Sequence, residues 1–427
     1  MKNEILLQKV AFMCVMSAFL LIATASVGIA QSTLPAPKQE RLLNGLKLLM
    51  WSDAKADKVM VKIRVHAGSA FDPQGKEGAM QMLADNLFPS DASRDFFADD
   101  LGGGLEVVTT YDYIQINASS KPESFLQMLE TLSTAISNPA IDKDITAKVR
   151  TALLAKLKIL EADPAYVADQ AVAKRLFGTF PYGRPQQGST ASVQKLDFAD
   201  LIDAKQRFLT ADNATIAISG NFNKDLAFRA VRRYFGGWLK SDKRVPSTFR
   251  QPDDPSTELL RVQSPKPDAA AIRFAIRGVA RSDKDLAASL VFTTIMKNRA
   301  KTLVPSDHAA DAFVRNEAHT LPGIITVGFY ADPNYSGKEN GKVIGFDLST
   351  PIPESEFQTA KNFVMDEWAK KDISLFWLDA DTYKLPSPLM YARAIDTVTI
   401  ADVNSYAEKV RKLPVVMVLV SNPPKSN

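Results

Sequence analysis

Gly78-Ala79-Met80-Gln81-Met82-Leu83-Ala84-Asp85-Asn86-Leu87-Phe88 reads as the body of a helix that runs from Glu77 to Phe88 and stops at Pro89. Positions i, i+3 and i+4 share one face of a helix, so Gln81, Ala84 and Asp85 project together. An amide, a methyl group and a carboxylate therefore stand where a helix could present three cooperating groups.

Outward from this helix the chain alternates strands and helices. Val59 to His66 has period two, with Val59, Val61, Ile63 and Val65 on one face and Met60, Lys62, Arg64 and His66 on the other. Asn44 to Trp51 reads as a turn leading into a strand. The glycine run Gly102 to Gly104 precedes one expected strand from Leu105 to Asn117. Helices are expected over Pro122 to Ser137 and Asp142 to Glu161, the second broken by Asp163-Pro164. After the loop Phe180 to Gly188 come helix Phe198 to Phe208, strand Ala214 to Ser219 and helix Lys224 to Phe235.

Val245 to Asp268 is rich in proline and charge and reads as a linker, beyond which a similar order restarts. Strands are expected over Glu258 to Val262, Ala270 to Ile276, Gly323 to Tyr330, Lys342 to Asp347 and Val415 to Val420. Helices are expected from Asp283 to about Ala300, Glu354 to Trp368 and Ile400 to Lys412. The fold class is α+β: two repeated halves, each an antiparallel sheet backed by helices. The expected division is a leader over 1–30, an N-terminal half over 31–247 and a C-terminal half over 248–427.

The 427 residues are 46% apolar and 23% charged, enough for sizeable cores. A net charge of +4 without a dense Lys/Arg block gives no footprint for nucleic acid. Lys2 and Lys9, the apolar run Val10 to Ile22, and small residues at Gly28 and Ala30 form the pattern of a secretory signal cleaved after Ala30. The expected location is periplasmic or secreted. The one cysteine, Cys14, lies in that leader, so the expected mature chain has no disulfide and no thiolate metal site.

Several stretches in order carry a family resemblance: Asp72-Pro73 with Gly75 and Gly78; Val107 to Tyr113; Phe180-Pro181-Tyr182-Gly183-Arg184-Pro185-Gln186-Gln187-Gly188; Ala211 to Phe222; and Tyr234 to Trp238. Together they resemble the pitrilysin, insulinase and mitochondrial processing peptidase family, whose helix after a glycine carries the inverted zinc motif H-x-x-E-H. The resemblance implies a mitochondrial-processing-peptidase-like metallohydrolase fold of repeated halves. It also implies that active members pair with another such unit around a chamber for peptides.

In this frame the two histidine positions are Gln81 and Asp85 and the base position is Ala84. The family's third ligand, a glutamate on a later helix, falls on Lys156. Catalytic zinc needs three protein donors and an open water position. One amide, one carboxylate and one cation do not supply them, so no cofactor is expected where catalytic relatives hold zinc. Asp85 and Lys156 are expected to pair as ions. A second-half clamp that family members use on the substrate carbonyl falls on Val304 and Asp311, with Arg299 or Arg315 as the alternative if the register differs. His66, His308 and His319 read as ordinary surface histidines, and no two are spaced for a chelate.

Family members hold extended peptides along the edge strand after the glycine through main-chain hydrogen bonds, which here places Glu106, Val107, Val108 and Thr109 at a substrate edge. The reading that follows is a non-catalytic homologue that pairs with a catalytic relative and helps enclose or bind extended peptides. The alternatives are a stand-alone peptide-binding or structural module, alone or as a homo-oligomer, and an active peptidase with an unconventional site.

Overall fold

The alternation in β3 (Val59–Val65) buries Val59, Val61, Ile63 and Val65 against one layer of helices, but Lys62 and Arg64 on the opposite face are buried as well. The reason lies in how the two halves cover each other. The computed structural model describes residues 34–241, 249, 252–267, 269–303, 311–331 and 351–422, and Pro37–Asn427 form one packed unit.

The first sheet has the order β1 (Lys38–Arg41), β2 (Lys47–Ser52), β6 (Ala214–Gly220), β3, β5 (Ile114–Ser120), β4 (Gly104–Thr109). The second has the order β7 (Leu260–Gln263), β11 (Val416–Ser421), β8 (Ala270–Arg277), β10 (Ile324–Ala331), β9 (Phe313–Glu317). Beyond β1, the two orders correspond strand for strand. Each has one parallel pair, β2 with β6 and β7 with β11, and its other pairs are antiparallel. The expected repeat is thus visible in topology, although neither sheet is purely antiparallel.

Helices α1 (Ala79–Leu87), α2 (Phe125–Ser137), α3 (Lys143–Glu161), α5 (Phe198–Phe208) and α6 (Lys224–Phe235) contribute to the apolar core on one face of the first sheet. Helices α7 (Leu286–Leu303), α8 (Glu354–Ala369), α10 (Met390–Thr397) and α11 (Ile400–Arg411) do the same for the second. Two helices cross over. From the first half, α4 (Pro164–Phe177) packs Ala168, Val172, Leu176 and Phe177 against Ala271, Ala275, Val416 and Val418 of the second sheet. From the second half, α9 (Ile373–Tyr383) packs Leu378 against Leu49 and Ala217 of the first sheet, with Trp51 and Trp377 edge to face at 6.2 Å.

Each exchanged helix brings a carboxylate to a buried arginine. Arg64 Nη1 lies 2.6 Å from Asp379, and Arg273 Nε lies 2.5 Å from Asp169; the two arginine side chains are 1% and 2% exposed. Lys47 meets Asp381 at 2.8 Å, and Lys62 meets Asp372. His66 Nδ1 lies 3.0 Å from Thr382 Oγ1 and its Nε2 3.0 Å from Thr215 Oγ1. The reading of His66 as a surface residue is therefore overturned: an apparently solvent-facing polar stripe is the seat of α9.

Three further differences have local causes. The expected strand Leu105 to Asn117 is a hairpin, β4 and β5, turned at Thr110 to Tyr113, where the Thr110 hydroxyl accepts from the N–H groups of Asp112 and Tyr113. β-Branched and aromatic residues on both sides of the turn hid it. Strand β9 and helices α9 and α10 are not anticipated by the sequence: β9 and α10 are short, and α9 turns Leu378 to the first sheet and Tyr383 to the second half, so its apolar residues follow no single stripe. The expected strand Lys342 to Asp347 lies outside the described residues, as does His308.

Removing one partner of a buried ion pair costs about 3–5 kcal/mol, whereas replacing both with apolar residues can be neutral. Arg64→Ala should lower unfolding free energy in urea by about that amount, and the double variant Arg64→Met/Asp379→Leu should recover most of it. Equal losses in the two variants would show that the pair does not act as a unit. Burial, aided by the cations of Lys384, Arg64 and Lys47, lowers the His66 pKa from 6.5 to about 3. The unfolded chain then binds the extra proton, so stability should hold above about pH 6.5 and fall, by up to ~4 kcal/mol, as the pH drops towards 3. His66→Gln should flatten that slope in pH-dependent denaturation.

Candidate functional site

Helix α1 starts at Gly78, whose φ of 99° is left-handed; a Cβ there would come within 2.9 Å of the Gln187 carbonyl oxygen. Gly188 faces it, also left-handed at 78°, and its Cβ would meet the Glu77 carbonyl oxygen at 2.4 Å. Both Asp72 carboxylate oxygens cap the helix, accepting from the Gly78 and Met80 N–H groups at 2.8 Å each. Arg184 donates to the carbonyls of Asp72 and Ala70 at 2.6 and 3.1 Å, and the Tyr111 hydroxyl donates to the Arg184 carbonyl at 2.8 Å. Burial pushes Asp72 up to about 7, opposed by the two N–H donors and Arg184. The stretches around Asp72, Tyr111 and Phe180 to Gly188, scattered in sequence, form one brace around the start of α1.

On the helix face of interest, Gln81 Nε2 donates to Asp85 Oδ1 at 2.9 Å, and Ala84 is buried. Lys156 on α3 is exposed. The expected Asp85–Lys156 ion pair does not form within 4 Å: Asp85 is engaged by Gln81, and Lys156 acts on it only through space. Burial raises the Asp85 pKa, against the pull of the Gln81 hydrogen bond, Lys156 and Arg94.

These groups do not fit zinc. The amide is tied to the carboxylate, the base position is a methyl group, and the third position is an ammonium. Among the described residues no group of three or more His, Cys, Asp or Glu is placed to hold a metal.

Glu106, Val107, Val108 and Thr109 all lie in β4, which is an edge of the first sheet, as the sequence suggested. The Thr109 carbonyl already accepts from Gln186 Nε2 at 2.6 Å, so the outer part of the strand is the freer portion. In the second half, Asp311 is exposed just before β9, and Val304 lies outside the described residues. The alternative clamp arginines are both engaged, Arg299 with Glu356 at 2.7 Å and Arg315 with Asp169 at 2.8 Å.

One polar contact escaped sequence reasoning altogether. Asp112, at the tip of the β4–β5 hairpin, meets His319 Nδ1 at 2.9 Å and accepts from the Thr320 N–H at 3.0 Å. His319 precedes β10, in the repeat's corresponding hairpin, so equivalent tips from the two halves touch. His319 is therefore no surface histidine. A separation of 207 residues leaves no local signal for such a contact.

A family model described as insulinase (peptidase family M16) matches residues 47–189, and one described as the peptidase M16 inactive domain matches residues 195–363. The probable mitochondrial-processing peptidase subunit beta of Arabidopsis thaliana is 22% identical over 291 residues, covering 66% of this chain and 55% of the relative. The chain spans about half the length of the first curated relatives it matches. A peptidase M16 inactive domain from Pseudomonas fluorescens superposes with a TM-score of 0.80 at 16% identity, over 92% of this chain and 99% of the other. A chain of complex III2 from Candida albicans, with Inz-5 bound, superposes with a TM-score of 0.69 at 19% identity, over 90% and 95%. These structural likenesses concern the fold.

If only ligand chemistry is missing, restoring it on the intact frame should restore metal uptake. The variant Gln81→His/Ala84→Glu/Asp85→His/Lys156→Glu should retain about one zinc per chain after dialysis, whereas the unmodified chain should retain little. Elemental analysis reads both, and equal zinc content would contradict this account of the helix.

Proposed function

The chain belongs to the insulinase family, peptidase family M16, and from that premise we propose that it is a non-catalytic member that pairs with a catalytic relative. The observation that carries this reading is the Gln81–Asp85 hydrogen bond on α1, with Ala84 beside it and Lys156 exposed. A braced helix has kept its fold while its polar groups satisfy one another. Pairing is supported by the Arabidopsis relative, which is named as a subunit, and by the likeness to a chain of a multi-subunit complex.

In this reading the subunit is exported by its N-terminal leader and contributes β4 to a peptide-binding wall. Main-chain pairing along a sheet edge needs no particular side chain, so it can outlast the loss of a catalytic site. The same edge also supports a stand-alone peptide-binding module, which needs no partner.

Affinity purification from the native source should recover a family relative that carries H-x-x-E-H. Repeated recovery of the chain alone would overturn the pairing and leave the stand-alone module. Strand addition also predicts a pattern in fluorescence anisotropy with unfolded peptides. N-methylation at alternate residues in one register should abolish binding, and methylation in the other register should not. Equal tolerance of both registers would exclude the β4 edge as the binding element.

A further inference from the structure

Two cations of the second half, Arg281 in the turn before α7 and Lys371 in the bend between α8 and α9, lie beyond salt-bridge distance of any carboxylate among the described residues. Arg281 donates Nε to the Ala318 carbonyl at 3.2 Å, and its guanidinium lies 5.2 and 5.8 Å from the ring centroids of Tyr383 and Tyr391. The Lys371 ammonium lies 4.5 Å from the Trp368 ring centroid. Trp368 and Tyr391 meet edge to face at 5.0 Å, so one continuous aromatic wall carries both cations. Neither has a carboxylate within 4 Å among the described residues. The contrast is sharp, because Arg64, Arg273, Arg299 and Arg315 are all paired.

Two buried polar atoms border the same cluster without a hydrogen bond. Tyr391, 3% exposed, leaves its hydroxyl unpartnered, and so does Nε2 of His319, whose Nδ1 is held by Asp112. Arg281 is near enough to influence the Tyr391 hydroxyl, but no hydrogen bond of good geometry joins them. Burial, together with Arg281 and Arg64, lowers the Lys371 pKa, and Asp379 opposes the shift. Arg281 acts on Lys371 as a like charge, whereas Tyr383, Asp379 and Tyr391 favour the charge of Arg281 itself, so an anion beside Lys371 would relieve the repulsion that Lys371 feels.

We propose that Arg281 and Lys371, backed by Trp368 and Tyr391, form a binding site for a carboxylate group. The charges around the site favour a monoanion. Arg64, Arg281 and Lys371 face Asp379 and Asp112, three cations against two carboxylates. A guanidinium fork matches the two oxygens of a carboxylate, and the rings accommodate an apolar body attached to it. The group could belong to a free organic acid or to the C-terminus of a peptide, and the two share this chemistry.

Benzoate titrated into the full-length protein, followed by tryptophan fluorescence or calorimetry, tests the site. Benzoate should bind saturably, and the neutral isostere benzamide at least about ten-fold more weakly. Lys371→Gln and Arg281→Gln should each weaken benzoate by about ten-fold. Lys370→Gln, the same charge change one residue away in a side chain paired with Glu367, should leave it unchanged. Should Arg281→Gln fail to fold, the Lys371 and Lys370 variants still decide the matter. Capped pentapeptides with a free or an amidated C-terminus separate the two sources. A preference for the free terminus over both the amide and benzoate assigns the site to peptide ends, and a preference for benzoate assigns it to small acids. Absence of saturable benzoate binding, equal binding of benzamide, tighter binding of inorganic phosphate, or an equal loss in Lys370→Gln would each overturn the proposal.

Discussion

Two buried arginines, Arg64 and Arg273, hold this molecule together, because each can be buried only if the other half of the chain supplies its carboxylate. A guanidinium left unpaired at such exposure would cost several kcal/mol, so neither sheet can close its second face alone. The exchange of α4 and α9 answers that constraint. It places Asp169 over the second sheet and Asp379 over the first, and it brings the apolar faces of both helices with them. The Asp112–His319 contact between hairpin tips follows from the same symmetry. Two halves of similar topology therefore behave as one packed unit.

Much of this was legible in the sequence, and the limits are physical. Helices Phe198–Phe208 and Lys224–Phe235 span the residues expected from the sequence, and Asp197 and Asn223 cap their starts locally. The repeat was readable as an order of elements, and the edge position of β4 followed from the family resemblance. What stayed hidden depends on contacts between distant residues. Lys62, Arg64 and His66 alternate with apolar residues just as a solvent-facing stripe would, and nothing local announces that α9 will cover them. The hairpin turn at Thr110 to Tyr113 contains no glycine or proline, so the usual turn signal was missing.

At the candidate site, the identities of Gln81, Ala84, Asp85 and Lys156 already argued against zinc, but their arrangement had to be seen. An ion pair between Asp85 and Lys156 was the natural expectation from charge alone. Gln81 is nearer on the same helix face, so the hydrogen bond forms within α1 and Lys156 remains in solvent. The brace built from Asp72, Arg184, Tyr111 and the paired glycines Gly78 and Gly188 is complete without any metal chemistry. These contacts hold helix α1 as a structural element in its own right.

The central question for this molecule is whether a chain of this family with these groups on α1 can break a peptide bond. The direct measurement is turnover of a quenched-fluorescence peptide library by the purified protein alone, with and without added zinc. No cleavage above the blank is expected in either condition. Cleavage that rises in proportion to protein and disappears with a chelator would show that α1 or another site of the chain is catalytic.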